Sequence, residues 1–596
     1  MNALECPDDR FPVGHTRQGT LEVMVWGVVA ALGAGLAEGG LRGARLLLTG
    51  WAPVRHPALY WVAPLVHLAW LPVLALFLHW LVPTRGRLTR AVLSALATFA
   101  VLLVLPVLPV SRVLLALGVG VVMVRAPWRA GSTRRVALGL AGIVALLALL
   151  DRAVLPRWRR PPPAAAAASG APNILLLVLD TVRGSYLSLY GFDRATTPNL
   201  ERWGRRGVVF DRAIAPAPWT LPSHASLFTG QVATALKVGW EQPLVPESRT
   251  LAEVLQSRGY STAGFIANAL YCNAGQGLAQ GFEHYEDFQW TPADLLLTTG
   301  IGAALLNNDW LRRQAGEFQL PGRKSAAQLN AAVLAWVDGP RVRPFFVFAN
   351  YFDAHIPVLP SAATMAAWGA EPGARPHRFR YYGYEASWRG AEHFSAAERS
   401  AEREAYLAAV HGLDAEVGRL LDSLEARGLL RHTLVVMTAD HGEQFGRHGL
   451  FEHGNSLYPQ LVHVPLLMLL PDGLGAGVRV RQAVSLRSVP ATLLRLAGQE
   501  DAGIPGRSLL ARDSLGRLEV RHPALVFSAL VDPAGRVGAS VIADSVQGIF
   551  MSRRPDEFYN LQSDILAEHP LPVPAGSLGV LARHARLLRT AAAGPP

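Results

Sequence analysis

The chain has 596 residues, of which 51% are hydrophobic and only 17% charged, and its mean hydropathy is +0.23; a typical soluble domain carries about 25% charged residues, so a simply soluble protein is excluded. The net charge of +11 would suggest a nucleic-acid partner, but residues 1–170 hold 17 Arg or Lys against 6 Asp or Glu, and the remainder balances at 39 of each. The excess therefore sits in Arg clusters between apolar runs, which marks membrane topology and excludes nucleic acid as the reason for the charge, while two cysteines, Cys6 and Cys272, are too few for a disulfide framework or a Cys-rich zinc site.

Apolar runs near 23–47, 59–82, 91–109, 110–125 and 136–150 exceed or approach the ~20 residues that cross a bilayer. The first contains Glu38 and Arg42 and the fourth is short, so the pattern fits five spans, or four with a re-entrant segment. Glu22 and Glu38 around the first run argue against a cleavable signal peptide. With five spans, the N-terminus and the even connections share one side, which carries Arg10, Arg17, Arg85, Arg87, Arg90, Arg125, Arg129, Arg134 and Arg135. The opposite loops carry Arg42, Arg45, Arg55 and Arg112. That bias places the N-terminus inside and everything after Leu150 outside. Arg152, Arg157, Arg159 and Arg160 lead into a long domain, where the rule weakens. Residues 1–155 thus read as a helical transmembrane region, an anchor or a guide for substrate. Residues 156–171, with Pro161–Pro163 and Ala164–Ala168, form a low-complexity linker.

Beyond the linker, short apolar runs alternate with helical stretches. Asn173–Leu179 is apolar without alternation, as a parallel strand covered on both faces requires. Two more such strands are 344–349 and 433–438, and helices are expected at 199–207, 251–258, 325–337 and 401–427. This rhythm predicts an α/β sandwich with a mostly parallel sheet over 172–505. Strands near 525–530, 539–543 and 548–552 predict a small antiparallel subdomain within 506–596. The apolar run Leu295–Leu306 is too short to span and reads either as a core helix or as a segment resting on a membrane. The loop Trp368–Trp388, with Tyr381, Tyr382 and Tyr384, offers aromatics for packing, for a sugar or for a lipid interface.

Ligands of open α/β sheets bind at the carboxyl ends of the strands. Three strands end in polar groups: Asp180-Thr181, Asp353-Ala354-His355, and Asp440-His441-Gly442-Glu443. Carboxylates and imidazoles from separate strand tips make a divalent-metal ligand set, and without thiolates they fit Mn, Mg, Ca or Zn. Glu443 is a candidate to orient His441 or another ligand. Between them, Pro222 suits a helix start, so Ser223–Thr229 reads as a helix with Thr220 just before its positive end; Thr220 or Ser223 would equally suit a simple cap.

The segments PNILLLVLDTVRGSYLSLYGFDRATTPNL, APAPWTLPSHASLFTGQ, TLAEVLQSRGYSTAGFIAN, RPFFVFANYFDAHIPVLP, TLVVMTADHGEQFGRHGLFEHGNSLYPQLVHVPLL and DEFYNLQSD, in this order, resemble the sulfatase family of the alkaline phosphatase superfamily. The resemblance covers Pro172 to about Asp564, roughly two thirds of the chain. It implies an alkaline-phosphatase-like α/β sandwich with a small C-terminal antiparallel subdomain, preceded here by the N-terminal α-helical transmembrane bundle. It further implies that Asp180, Asp440 and His441 are metal ligands, and that Thr220 stands at the metal-bound nucleophile position. His355 and His453 match substrate-facing residues.

The chain departs from that family at telling positions. A sulfatase proper carries a formylglycine made from Cys or Ser, an Arg beside it and a second Asp after the first; here these are Thr220, His224 and Thr181. A threonine nucleophile behind about five spans is similar instead to lipoteichoic acid synthases and phosphoethanolamine transferases. The resemblance thus implies a metal-dependent hydrolase or transferase of phosphate esters, with a cation activating the Thr220 hydroxyl and His355 or His453 protonating the leaving oxygen. The alternatives are a sulfuric ester hydrolase without formylglycine and an inactive binding relic. The expected partners are a lipid or glycan ester and the membrane, with no nucleic acid. The expected place is a bacterial inner membrane, the catalytic domain facing the periplasm or exterior.

Overall fold

The computed structural model describes residues 17–49, 59–81, 86–103, 109–125 and 130–153, and residues 170–572 apart from 241, 307, 309–310, 312–321, 341–342, 370–394, 500–502, 532–535 and 553. The Pro/Ala linker and Tyr381, Tyr382 and Tyr384 lie outside the described residues. The chain divides into two units: residues 1–159 with Trp290–Ala315, and residues 160–289 with 316–596.

The first unit contains α1 (Arg17–Thr49), α2 (Leu59–Leu81), α3 (Gly86–Leu102), α4 (Pro109–Arg125) and α5 (Ala130–Ala153). Each of the five apolar runs has its helix. Among the described residues, three helical stretches are long and apolar enough to cross a membrane: Thr20–Arg42, Leu59–Leu81 and Ser132–Leu150. The α3 and α4 helices are each 17 residues long. A 17-residue helix rises only about 26 Å, short of the ~30 Å hydrocarbon thickness. The α1 and α2 helices run antiparallel and pack closely through small residues: a Cβ on Gly27 would lie 2.7 Å from Pro72, and one on Gly35 only 2.3 Å from Pro64. Small residues at such spacing let helix backbones approach closely.

The second unit is built on a mixed sheet that has nine strands among the described residues, in the order β11-β2-β10-β6-β1-β5-β3-β4, with β9 beside β2. The strands are β1 (Asn173–Leu179), β2 (Val208–Ile214), β3 (Ser261–Ile266), β4 (His284–Glu286), β5 (Phe345–Tyr351), β6 (Thr433–Thr438), β9 (His463–Val464), β10 (Leu466–Leu469) and β11 (Val478–Ser485). A two-stranded hairpin, β7 (Gln444–Phe445) with β8 (Phe451–Glu452), stands outside the sheet. Central β1 pairs in parallel with β5 on one side and β6 on the other. Ile174, Leu176, Leu177 and Val178 are fully buried, as an unalternating apolar strand demands; each such side chain stabilises the fold by about 1.5–3 kcal/mol. The sheet departs from pure parallel order at β10, which runs antiparallel to both β6 and β2, and at β9.

Helices cover the sheet: α6 (Pro198–Gly204), α7 (Thr220–Thr229), α8 (Leu251–Ser257), α11 (Ala326–Val337) and the long α12 (Ala396–Ala426). Thr250, Ser325 and Ser395 each close a capping box at the start of α8, α11 and α12, satisfying orphan backbone donors reciprocally. Helix α12 begins five residues before the position read from the sequence, because Ser395 and Glu398 cap it. Strands β12 (Leu510–Arg512) and β13 (Leu518–Val520) form a hairpin. Strands β14 (Leu525–Val531), β15 (Val537–Ala543), β16 (Val546–Met551) and β17 (Glu557–Asn560) form the expected antiparallel sheet. The apolar run 295–306 is not one helix. It breaks into α9 (Pro292–Leu297) and α10 (Gly300–Leu306), and both belong to the first unit.

Candidate active site

Because β1, β2, β3, β5 and β6 run parallel, their carboxyl ends lie along one edge of the sheet. The residues just beyond those ends are Asp180, the loop to Thr220, Asn268, the 353–355 turn, and Asp440-His441. Register fixes two of them side by side: Val178 pairs with both Asn350 and Thr438, so Asp180 and Asp440 leave adjacent strands at the same level. Gly442 is required next: a Cβ there would lie 2.1 Å from the Gln460 carbonyl and 2.8 Å from Arg183.

Asp180, Asp440 and His441 are fully buried, and each offers a ligand atom within 4.8 Å of the others. The Oδ2 of Asp180 accepts hydrogen bonds from Asn268 at 2.8 Å and Asn350 at 3.4 Å. The Oδ1 of Asp440 accepts from the backbone N–H of His441 at 2.9 Å and of Thr181 at 3.3 Å. The other oxygens, Asp180 Oδ1 and Asp440 Oδ2, have no hydrogen-bond partner. His441 Nδ1 faces the Gly442 carbonyl at 2.9 Å; a carbonyl can only accept, so Nδ1 carries the proton and Nε2 keeps its lone pair. That Nε2 stands 3.8 Å from Asp180 Oδ1 and 3.3 Å from Asp440 Oδ2. Two orphaned carboxylate oxygens and an imidazole lone pair, buried together, are costly without a cation and form the oxygen and nitrogen donor set a divalent metal takes.

Electrostatics agree with that chemistry. Burial raises Asp180 to about 6, although Asn268, His453, Asn350 and Arg323 oppose the shift. Burial and the neighbouring Asp180 push Asp440 well above the carboxylate range. Burial and His453 drive His441 well below the ordinary histidine value, which keeps its imidazole neutral.

Thr220 is brought to this cluster: its Oγ1 lies 3.3 Å from His441 Nε2. The helix starts at Thr220 itself, with Trp219 as N-cap, not at Pro222 as the sequence suggested. Neither Thr220 nor Ser223 makes a capping bond; Ser223 Oγ instead donates to the Asp440 carbonyl at 2.6 Å. Trp219 lies 4.0 Å from Trp240 in a parallel stack, with Tyr271 edge-on to both, and Gly454 N–H donates to the Pro218 carbonyl. These contacts hold the turn that carries Thr220. His224 Nδ1 is 2.9 Å from the Thr220 carbonyl and 3.4 Å from Asp440 Oδ2, and burial lowers it to about 4. A neutral imidazole therefore stands where the resembling family carries a cationic Arg. Thr181 adopts the left-handed region at φ 62°, uncommon for a β-branched residue, and its hydroxyl donates back to the Asp180 carbonyl.

His355 and His453 complete the cluster. Their rings are 4.9 Å apart, and His453 is 4.5 Å from His441. His453 Nδ1 meets Glu443 at 3.0 Å. Glu443 thus orients His453, across the base of the β7–β8 hairpin, and not His441. Burial opposes a charge on His453, but Glu443, with Glu452 and Asp180, outweighs it and its pKa is raised. His355 is driven well below the ordinary value by burial and by His453. Sequence reasoning did not single out Asn268 and Asn350, although both sit at strand ends. It also missed Arg323, whose guanidinium donates to the carbonyls of Phe352, His355 and Pro357.

A family model described as Sulfatase matches residues 172–499, more than half of the chain. The mouse (Mus musculus) steryl-sulfatase is 30% identical over 404 residues, 57% of this chain and 64% of that protein. Human (Homo sapiens) arylsulfatase A is 29% identical over 364 residues, 55% of this chain and 64% of that protein. The chain thus spans less than two thirds of these relatives' length. Among solved structures, a phosphonate monoester hydrolase from Silicibacter pomeroyi has a TM-score of 0.52 at 21% identity, covering 71% of this chain and 96% of that one. A protein solved with its substrate D-glucosamine-2-N,6-O-disulfate has a TM-score of 0.54 at 18% identity, covering 70% and 96%. These two similarities bear on fold.

Proposed function

Since this chain belongs to the sulfatase family, we propose that it is a membrane-anchored, metal-dependent hydrolase or transferase of phosphate esters that works through Thr220. The observation that carries this reading is the 3.3 Å approach of Thr220 Oγ1 to His441 Nε2, beside the unpaired oxygens of Asp180 and Asp440. Oxidation of a threonine's secondary alcohol would give a ketone, so the aldehyde that sulfatases proper use is chemically out of reach at this position. The neutral His224 also removes the cation that accompanies it.

Asp180, Asp440, His441 and the Thr220 hydroxyl would hold the divalent ion. When bound, the ion supplies positive charge that favours the Thr220 alkoxide and the non-bridging oxygens of the ester. Asn268 and Asn350 fix the Asp180 carboxylate so that one oxygen remains directed to the site. Thr220 Oγ1 attacks phosphorus and becomes esterified as the bond to the leaving oxygen breaks. His453, held protonated by Glu443, gives its Nε2 proton to that oxygen. The same imidazole then takes a proton from water or an acceptor alcohol, whose oxygen bonds to phosphorus as the Thr220 Oγ1–P bond breaks and Thr220 is released. His355, kept neutral, serves as a hydrogen-bonding partner for the ester.

Support for anchoring comes from the three membrane-length helical stretches, and the Arg bias counted over the five apolar runs favours a catalytic domain on the outer side of a bacterial inner membrane. The substrate would be a lipid or glycan ester. The test compares an aryl phosphate monoester, an aryl phosphodiester and an aryl sulfate on the detergent-purified protein with Mn, Mg, Ca or Zn. Phosphate-ester turnover lost in Thr220→Ala is expected. Sulfate turnover, or full activity in Thr220→Ala, would overturn the reading.

A further inference from the structure

Between β4 and α11 the chain leaves the second unit, joins the helices of the first from Trp290 to Ala315, and returns. Its junction there is specific. Glu38, fully buried within the Thr20–Arg42 stretch, uses one carboxylate oxygen to accept the Gly300 N–H at 2.9 Å and the other to meet His67 Nε2 at 3.2 Å. Arg42 donates to the Leu297 carbonyl at 3.3 Å. Only glycine fits at 300: a Cβ would lie 2.5 Å from the Ala100 carbonyl and 3.0 Å from the Leu103 Cβ. Glu38 of α1 and the C-terminal end of α3 thus converge on this one backbone position.

The break between α9 and α10 is self-satisfied. Thr298 and Thr299, both buried, donate their hydroxyls to the carbonyls of Leu295 and Leu296 at 2.6 and 2.9 Å. Thr299 Oγ1 in turn accepts the Gly302 N–H at 3.0 Å. Water would serve a surface loop equally well; internal satisfaction of a helix break is what hydrocarbon demands. The outward side is apolar: Leu296 is 42% exposed and Leu305 54%. A buried carboxylate in a membrane-length helix is costly unless paired, and here one of its two partners comes from a segment 262 positions away.

We propose that the α9–α10 segment, residues 290–306, is a re-entrant element of the catalytic chain, seated among the acyl chains of the bilayer and locked there by Glu38. The proposal rests on the membrane-anchored reading above. It assigns Leu296 and Leu305 to contact with lipid. It assigns Glu38, which has no place in the chemistry at the sheet edge, to holding the element.

The test uses the full chain in phosphatidylcholine–phosphatidylglycerol nanodiscs, with Cys6→Ser and the buried Cys272 retained. A fluorescent label is placed at Leu305→Cys. The same label at Val73→Cys on α2 reports the membrane reading, and at Leu515→Cys in the β12–β13 turn it reports water; both native side chains are exposed. Quenching by doxyl lipid should exceed quenching by aqueous iodide at positions 305 and 73 by roughly threefold or more, and the order should reverse at 515. Lipid contact at 73 with water contact at 305 overturns the seating alone. Water contact at 73 overturns the membrane reading and the seating with it. Glu38→Leu should move the label at 305 toward iodide, whereas Glu38→Gln, which keeps an acceptor oxygen, should not. An unmoved label in Glu38→Leu overturns the lock.

Discussion

His453 Nδ1 lies 3.0 Å from a Glu443 carboxylate oxygen, and this contact separates the three clustered histidines into one whose charged form is favoured and two whose neutral form is. His441 and His355 are both pulled below the ordinary histidine value by burial and by His453 itself. His453 alone is raised.

The consequence is a pH profile. An acid that must be protonated works below its pKa, so activity should fall on the alkaline side as His453 loses its proton. Glu443→Gln removes the charge that raises His453, so the alkaline limb of kcat should move to lower pH. A limb that stays in place in Glu443→Gln would assign the proton to another group.

Replacing Thr220 by Ala should cost at least about 10³-fold in kcat if the residue carries the covalent step. Metal binding should weaken but persist, because Asp180, Asp440 and His441 remain. Calorimetric titration with Mn or Zn, alongside turnover, separates the two effects.

Metal removal should make stability pH-dependent with a defined sign. In the metal-free protein, Asp180 rises from 3.8 to about 6 through burial, and burial and Asp180 raise Asp440 as well. A carboxylate raised in the folded state binds its proton more tightly there than in the unfolded chain, so the metal-free fold loses stability as pH rises from about 4 through 6. Chelated protein should therefore unfold at lower urea at pH 8 than at pH 5, and added metal should close the gap. Asp440→Asn should be less sensitive to chelation, since one of the two repelling charges is gone.

Asn268 donates to Asp180 at 2.8 Å and fixes which oxygen of that carboxylate is left over. Asn268→Ala should weaken metal affinity by about 10–100-fold while leaving the melting temperature of the chelated protein within a few degrees. An unchanged dissociation constant would remove Asn268 from the site.

Another buried carboxyl lies behind the hairpin. Glu402 on α12 is raised to about 8 by burial, then by Glu443 and Glu452. Its folded value exceeds its ordinary 4.5, so the wild type should lose stability between pH 4.5 and 8. Glu402→Gln, which mimics the protonated form, should flatten that slope and be more stable than wild type at pH 8.5, on the order of 1–3 kcal/mol.

Much of this architecture was legible because its signals are local. Asn173–Leu179 and Thr433–Thr438 are strands with the boundaries their apolar runs suggest, and parallel pairing then brings Asp180 and Asp440 together with no further information. Other features depended on tertiary contacts that no local pattern encodes. Glu443 follows His441 by two residues, yet the β7–β8 turn carries it to His453. Asn268 reads as an ordinary strand-end residue until β3 is placed beside β5. The start of α7 was misjudged because Pro222 suits the first turn at N3 as readily as at N1 once Trp219 caps the helix. Apolarity of Leu295–Leu306 was evident, but Gly300 gives no sign in one dimension that Glu38 waits for it.

That pairing orders the making of the protein. Glu38 is made as part of α1, and its second acceptor bond can form only when residue 300 has been synthesised, 262 residues later. Until then the His67 imidazole is its available partner, and the helical unit is incomplete while β1 to β4 emerge on the ribosome. Assembly of the two units is therefore interleaved in time: the helical unit is finished by a stretch of chain that lies between β4 and α11, and α11, β5 and β6 are made only after it.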